Sequence, residues 1–261
     1  MSNRPIGIFD SGIGGTSIFK EIHSLLPNES CIYLADSKNA PYGERSKEEI
    51  LQLSIKNTQL LLQIGCKLIV VACNTATTNA IEHLRLNFQV PFIGIEPAIK
   101  PAALHTKTKK VGVLATKGTL SSSLFHNTTK LHTSGIEVFE QEGRGLVELI
   151  EQGLVNSAQT ETLLRKYVEP MLNKNIDCLV LGCTHYPFLI PALLKIVPKN
   201  VQIIDSGLAV AKQTKAVLEK HTLLNKNLGH GSKHLFYSNQ NADLLKSFLN
   251  ATNAEVDYLD F

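Results

Sequence analysis

Short runs of β-branched and aliphatic residues alternate along this chain with longer stretches of helical periodicity, and that alternation restricts the fold more than any other feature. The clearest runs are Ile6–Phe9, Cys31–Leu34, Leu68–Ala72, Phe92–Ile95, Val111–Leu114, Cys178–Leu181 and Val201–Ile204. Continuous apolar strands separated by helices mark a parallel sheet covered on both faces. One intervening helix is sharply delimited. Ser46, with Glu49 three residues on, forms a capping box; Ile50, Leu53, Leu60, Leu61 and Ile64 recur at helical spacing, and Gly65 is placed to end the helix. The expected fold class is α/β, with mostly parallel sheets.

The chain also reads as two related halves. Leu68-Ile69-Val70-Val71-Ala72-Cys73-Asn74-Thr75 has a counterpart in Cys178-Leu179-Val180-Leu181-Gly182-Cys183-Thr184-His185, and Ile6-Gly7-Ile8-Phe9 is echoed at a similar interval by Val111-Gly112-Val113-Leu114. Chance likeness among apolar strands explains some of this, but not the matched cysteines at the strand ends. Two pseudo-symmetric α/β domains follow, 1–97 plus 208–261 and 98–207. The boundary is set near Pro97–Pro101, ahead of the lysine-rich turn Lys107–Lys110, with the tail after about Gly207 returning to the first half. Open α/β sheets bind ligands outside the C-terminal ends of their strands. Two facing halves would therefore bring both cysteines into one cleft, the expected active site.

Composition narrows the function classes. Hydrophobic residues make up 43% of the chain and charged ones 19%, enough for a core and too apolar for disorder. A net charge of +3, spread along the chain, leaves no basic footprint for nucleic acid. Met1–Asp10 has no apolar signal region, and no stretch reaches the ~18 apolar residues that span a bilayer. A cytoplasmic protein without membrane or nucleic-acid partners is expected. In that setting Cys31, Cys66, Cys73, Cys178 and Cys183 are an odd, reduced set, not a disulfide framework.

Cys73 ends an apolar strand and precedes Asn74-Thr75-Ala76-Thr77-Thr78-Asn79, a segment that can begin a helix. A thiol beside the unsatisfied N–H groups of a helix start is favoured as thiolate. Cys183 is expected to have the same placement, with Thr184, His185 and Pro187 opening the next segment. A single cysteine otherwise reads as an inert buried hydrophobe, and Cys31, Cys66 and Cys178 are assigned to that class. Asp10-Ser11-Gly12-Ile13-Gly14-Gly15-Thr16 reads either as a tight strand-to-helix turn capped by Asp10 or Ser11, or as a site for an anion. It lacks the P-loop ending and the dinucleotide spacing. Pro41-Tyr42-Gly43 is a turn by default. Thiolate and imidazole are zinc ligands, but Cys73 has no close C-x-x-C partner and Cys183-x-His185 is not a ligand spacing. No metal is expected. No local signature points to pyridoxal phosphate, although a lone Schiff-base lysine leaves little trace.

Four motifs in order, Asp10-Ser11-Gly12-Ile13-Gly14-Gly15, Pro41-Tyr42-Gly43, Ala72-Cys73-Asn74-Thr75-Ala76 and Leu181-Gly182-Cys183-Thr184-His185-Tyr186-Pro187, resemble those of the glutamate racemases over roughly residues 5 to 225. The wider aspartate/glutamate racemase superfamily shares the two cysteine motifs, while Pro-Tyr-Gly and the histidine after Cys183-Thr184 favour the glutamate branch. The resemblance implies a cofactor-independent isomerase that interconverts L- and D-glutamate by proton transfer at two cysteines, acts as a homodimer and supplies D-glutamate for peptidoglycan. Cys73 would serve the D-substrate face with Asp10 beside it, and Cys183 the L-face with His185 beside it. Asp10, Ser11, Tyr42, Gly43, Asn74, Thr75, Thr184 and His185 would hold the substrate, with Thr119 a secondary contact. A non-catalytic amino-acid-binding protein on the same scaffold would need no paired thiols. One segment departs from the family pattern: Gly143-Arg144-Gly145-Leu146-Val147-Glu148-Leu149-Ile150-Glu151 replaces a Cys-Pro-containing stretch. Glu151 falls near the family's acidic position but reads here as a solvated residue on an amphipathic helix.

Overall fold

A computed structural model describes residues 3–225, 232–249 and 254–261. In chain order its first part comprises β1 (Ile6–Asp10), α1 (Thr16–Leu25), β2 (Cys31–Ala35), α2 (Lys47–Gln63), β3 (Leu68–Val71), α3 (Asn74–Asn87) and β4 (Phe92–Gly94). Then come α4 (Ile99–His105), β5 (Lys110–Ala115), α5 (Lys117–Leu120), α6 (Ser123–His132), β6 (Glu137–Glu142), α7 (Leu146–Glu151), α8 (Ala158–Leu172), β7 (Cys178–Gly182), α9 (Ile190–Leu193) and β8 (Gln202–Ile204). The chain closes with α10 (Gly207–Lys220), β9 (His234–Ser238), α11 (Ala242–Ser247) and β10 (Ala254–Tyr258).

Two compact units result, Met1–Ile95 with Gly207–Phe261, and Glu96–Ser206. The first holds a six-stranded sheet ordered β10-β9-β2-β1-β3-β4, the second a four-stranded sheet ordered β6-β5-β7-β8. Every described strand pair is parallel. The fold is thus α/β with all-parallel sheets. Its central strands are buried along nearly their whole length, as a sheet with helices on both faces requires.

The internal repeat has a structural basis. β2-β1-β3-β4 and β6-β5-β7-β8 share one order, in which the chain steps outward from the first strand and then returns to its other side. Gly7 of β1 and Gly112 of β5 occupy equivalent central positions. A Cβ on Gly7 would lie 3.0 Å from Cys66 and 3.1 Å from Leu61; one on Gly112 would lie 2.7 Å from Ile176 and 3.0 Å from Met171. In each unit the helix before the third strand packs down on that glycine, so the echo Ile-Gly-Ile and Val-Gly-Val records a packing need.

The helix expected after Ser46 is α2, with the capping box in place: the Glu49 N–H donates to Ser46 Oγ at 3.2 Å and the Ser46 N–H to Glu49 Oε2 at 2.9 Å. Gly65 ends it at φ +97°, a left-handed conformation that suits glycine. The buried face differs from the apolar stripe. Ile50 and Leu61 are buried, Ile64 is 39% exposed, and Ser54, Asn57 and Thr58 fill the centre of the buried face. Three strands carry no apolar run: β6 and β10 are sheet edges with glutamate or aspartate along them, and β9 alternates buried and half-buried residues. No described helix is long and apolar enough to cross a membrane.

Candidate active site

In both units most of the candidate residues leave the C-terminal ends of neighbouring strands where the order reverses, β1 beside β3 and β5 beside β7, while Tyr42 and Gly43 follow β2. Crevices form at such switch points because adjacent loops diverge there. The residues fall into two sets, one per unit.

In the first unit Asp10 ends β1 and is fully buried; its Oδ2 accepts the Gly15 N–H at 2.8 Å and folds the glycine-rich loop back on the strand. The Tyr33 hydroxyl donates to the Gly12 carbonyl at 2.7 Å and holds the loop from below. The loop is therefore the tight, Asp10-held turn that its composition allows. Ser11 is buried on it and accepts from the Cys73 thiol at 3.8 Å. Cys73 occupies the N-cap of α3, and its Sγ accepts the Ala76 N–H at 3.4 Å, the role usually taken by a Ser, Thr or Asp oxygen. The sulfur thus faces the first-turn donors and the positive end of a 14-residue helix. Asn74 and Thr75 follow in that turn, each 3% exposed. Among the described residues, neither the amide nitrogen nor the amide oxygen of Asn74 has a hydrogen-bond partner. An unpaired buried amide costs stability.

Tyr42 lies in a short 3-10 turn after the cis Ala40–Pro41 bond and is buried. Its hydroxyl donates to Asp36 Oδ2 at 2.5 Å and accepts from the Asn57 amide at 3.1 Å. Burial, then the Asp36 charge and hydrogen bond, push the phenol well above its usual range, so it stays a neutral donor. Gly43 beside it is half-buried. Asp36 and Asn57 were not among the sequence candidates. Leu34-Ala35-Asp36 repeats the pattern of Ile8-Phe9-Asp10, an apolar strand ending in a carboxylate, and that was the available signal for Asp36.

In the second unit Cys183 follows β7 and is 7% exposed. The expectation that it shares the placement of Cys73 needs correction. It caps no long helix; the next element is one 3-10 turn, Tyr186–Leu189, with His185 at its N-cap. The Cys183 sulfur instead lies 3.8 Å from His185 Nδ1. His185 is 1% exposed, and its Nε2 lies 2.6 Å from Glu151 Oε1. Burial pulls the imidazole pKa down, but the hydrogen bonds and charges of Cys183 and Glu151 outweigh it, and the result is well above the ordinary value. A doubly protonated ring donates to both neighbours at once. Glu151, at the end of α7, is 14% exposed in its side chain, so the solvated reading of this residue is overturned. The departing segment before it has its own logic. The Tyr186 hydroxyl donates to the Gly143 carbonyl at 3.2 Å and packs where a side chain at 143 would stand. Thr184 is buried, and Thr119 is fully buried with its hydroxyl 3.1 Å from that of Thr116.

The other three cysteines are buried, and burial raises each thiol, Cys66 to about 12 and Cys178 to about 11. They remain protonated and unreactive at neutral pH. Among the described residues no group of three or more His, Cys, Asp or Glu is placed to hold a metal ion.

The family model described as Asp/Glu/Hydantoin racemase matches residues 6–214. A glutamate racemase from Herpetosiphon aurantiacus is 47% identical over 232 residues, covering 89% of this chain and 91% of its own. A glutamate racemase isoform from Bacillus anthracis superimposes with a TM-score of 0.87 at 31% identity, covering 100% of this chain and 98% of its own. The enzyme from Francisella tularensis, solved in complex with D-glutamate, gives 0.84 at 31% identity, covering 98% of each chain.

Proposed function

The chain belongs to the Asp/Glu/Hydantoin racemase family, and on that premise we propose that it interconverts L- and D-glutamate by proton transfer at Cys73 and Cys183, without an added cofactor. The single observation that carries the reading is the placement of the two cysteines at equivalent strand ends, β3 and β7, each beside a group that favours sulfur-borne negative charge. The relatives named for glutamate support the substrate.

In the L-to-D direction the Cys183 thiolate takes the α-proton, becoming a thiol and leaving the electron pair on the α-carbon and its carboxylate. The Cys73 thiol then gives its proton to the other face of that carbon and becomes a thiolate. The reverse reaction starts at Cys73. An α-carbon is a very weak acid, so the developing charge needs donors already in place. The first turn of α3, the Asn74 amide and the Thr75 and Thr184 hydroxyls are candidates for that work, with Asp10, Ser11, Tyr42, Gly43 and His185 as further substrate contacts. Asp10 assists the Cys73 thiol and His185 the Cys183 thiol, His185 being held protonated by Glu151. The two units serve as the two domains of a homodimeric cytoplasmic enzyme that supplies D-glutamate for peptidoglycan.

Polarimetric or chiral-chromatographic assay of purified protein tests the reading. Glutamate is expected to invert with α-deuterium uptake in D₂O, and kcat/KM for glutamate to exceed that for aspartate. Cys73→Ser and Cys183→Ser are expected to lose inversion. Turnover that required added pyridoxal phosphate or a metal ion would overturn the mechanism.

A further inference from the structure

Asp36 is a fully buried carboxylate just beyond β2, and such a group persists only if its oxygens are answered by donors. Oδ2 takes the Tyr42 hydroxyl, while Oδ1 takes the Asn39 amide at 2.8 Å and the Asn239 amide at 2.5 Å. The last donor comes from the far end of the chain. β9 runs parallel to β2 with Ser238 opposite Ala35, so Asp36 and Asn239 leave adjacent strands side by side. Asn239 is 2% exposed, and its side chain is used at both ends. Oδ1 accepts the Lys38 N–H at 2.9 Å, and Nδ2 donates to Asp36 and to the Phe261 carbonyl at 3.2 Å. The Asn239 N–H reaches the Ala35 carbonyl at 3.3 Å.

One amide therefore joins three things: the carboxylate that orients Tyr42, the backbone at the start of the Tyr42 loop, and Phe261. We infer that Asn239 is a positioning residue for the Pro41-Tyr42-Gly43 loop, acting on substrate through Asp36 and Tyr42. This rests on the proposed reading of Tyr42 and Gly43 as substrate contacts. The side-chain type is specific. An amide supplies a donor to Asp36 and an acceptor to Lys38 together; alanine supplies neither, and aspartate would supply the acceptor while setting a second carboxylate against the first. A second link joins the same two segments, the Lys38–Asp260 ion pair at 3.4 Å, but its side chains are 62% and 68% exposed. Such a pair contributes little and serves as an internal control.

The test combines steady-state racemisation with amide hydrogen exchange for Asn239→Ala, Asn239→Asp and Asp260→Ala. Asn239→Ala is expected to raise KM for glutamate about tenfold with kcat within about threefold, the usual effect of losing a hydrogen bond to a charged group. Exchange at the Lys38, Asn39 and Ala40 amides is expected to accelerate, while the Gly15 to Ile18 amides stay protected. Asn239→Asp is expected to recover kcat/KM relative to the unmodified protein as pH falls from about 8 to about 6, because two apposed carboxylates bind a shared proton more tightly than one alone. Asp260→Ala is expected to match the unmodified protein in both readouts. Unchanged exchange over residues 38–40 in Asn239→Ala would overturn the inference whether or not the protein racemises glutamate. So would an unchanged KM in an active enzyme, a loss in kcat alone, or a flat pH response of Asn239→Asp. An inactive unmodified protein would refute the proposed function instead, and the exchange result would still decide whether Asn239 holds the loop.

Discussion

The two thiol loops end equivalent strands, yet they are supported by different chemistry. Cys73 caps a 14-residue helix, taking the Ala76 N–H on its sulfur with Ser11 alongside. Cys183 precedes a single 3-10 turn and has His185, backed by Glu151, in its place. A helix dipole is a fixed set of partial charges that does not titrate. An imidazolium is a full charge that disappears when the ring deprotonates. The repeat thus preserved the strand end and diverged in the device beside it, one insensitive to pH and the other not.

The harshest way to break the comparison is to remove each sulfur in turn. On the proposed mechanism, Cys73→Ala and Cys183→Ala are each expected to lower racemisation by about 10³-fold or more, since each would delete a proton-transfer group worth ~10²–10⁴. The variants should differ in what survives. With Cys183 alone, L-glutamate is expected to exchange its α-proton in D₂O without inverting; with Cys73 alone, D-glutamate should do so. Exchange of both enantiomers by either variant, read by proton NMR, would mean the two loops are not assigned to separate faces.

A milder cut separates the devices from the sulfurs. His185→Asn is expected to lower kcat/KM about 10²-fold, and equally in both directions, because the enantiomers have equal free energy. The asymmetry must then appear in isotope exchange, lost for L-glutamate and kept for D-glutamate. Glu151→Gln is expected to cost about tenfold. It removes a charge that raises the His185 pKa while leaving a carbonyl acceptor, so the alkaline limb of its rate profile should move to lower pH. An unmoved limb would show that His185 does not depend on Glu151.

Asn74→Ala probes the helix side. Among the described residues neither amide atom of Asn74 has a partner, so none of the described hydrogen bonds is lost. The melting temperature is expected to hold or rise slightly, while KM for glutamate rises about tenfold. A clear loss of stability with unchanged KM would make Asn74 structural.

Much of this was legible in the residues. Apolar runs located seven strands, because buried parallel strands must be apolar on both faces, and Ser46 with Glu49 marked the start of α2. The strand-end position of Cys73 also determined its role as a cap. β6 and β10 escaped because edge strands carry charge, as Glu137-Val138-Phe139-Glu140-Gln141-Glu142 does. His185 was anticipated beside Cys183, but the Glu151 contact behind it escaped for another reason. Glu151 lies 34 residues before His185, and no local period relates a helix end to a strand end in a different part of the sheet. Asn239 lies farther still from Asp36, 203 residues away, and its amide reads as an ordinary turn residue until β9 is placed beside β2.

The smallest effect expected from the comparison is on stability, and its sign follows from the His185 shift. The folded-state pKa of His185 is raised, so its pairing with Glu151 stabilises fully below the unfolded value of about 6.5 and is lost as pH rises through the folded value. Melting temperatures of the unmodified protein and Glu151→Gln should differ most near pH 6, on the order of a few degrees, and converge as pH rises. If the gap for Glu151→Gln stays constant with pH, the bond between His185 and Glu151 is one between an uncharged ring and a carboxylate. Both thiol loops would then rely on fixed dipoles, and the contrast between them would close.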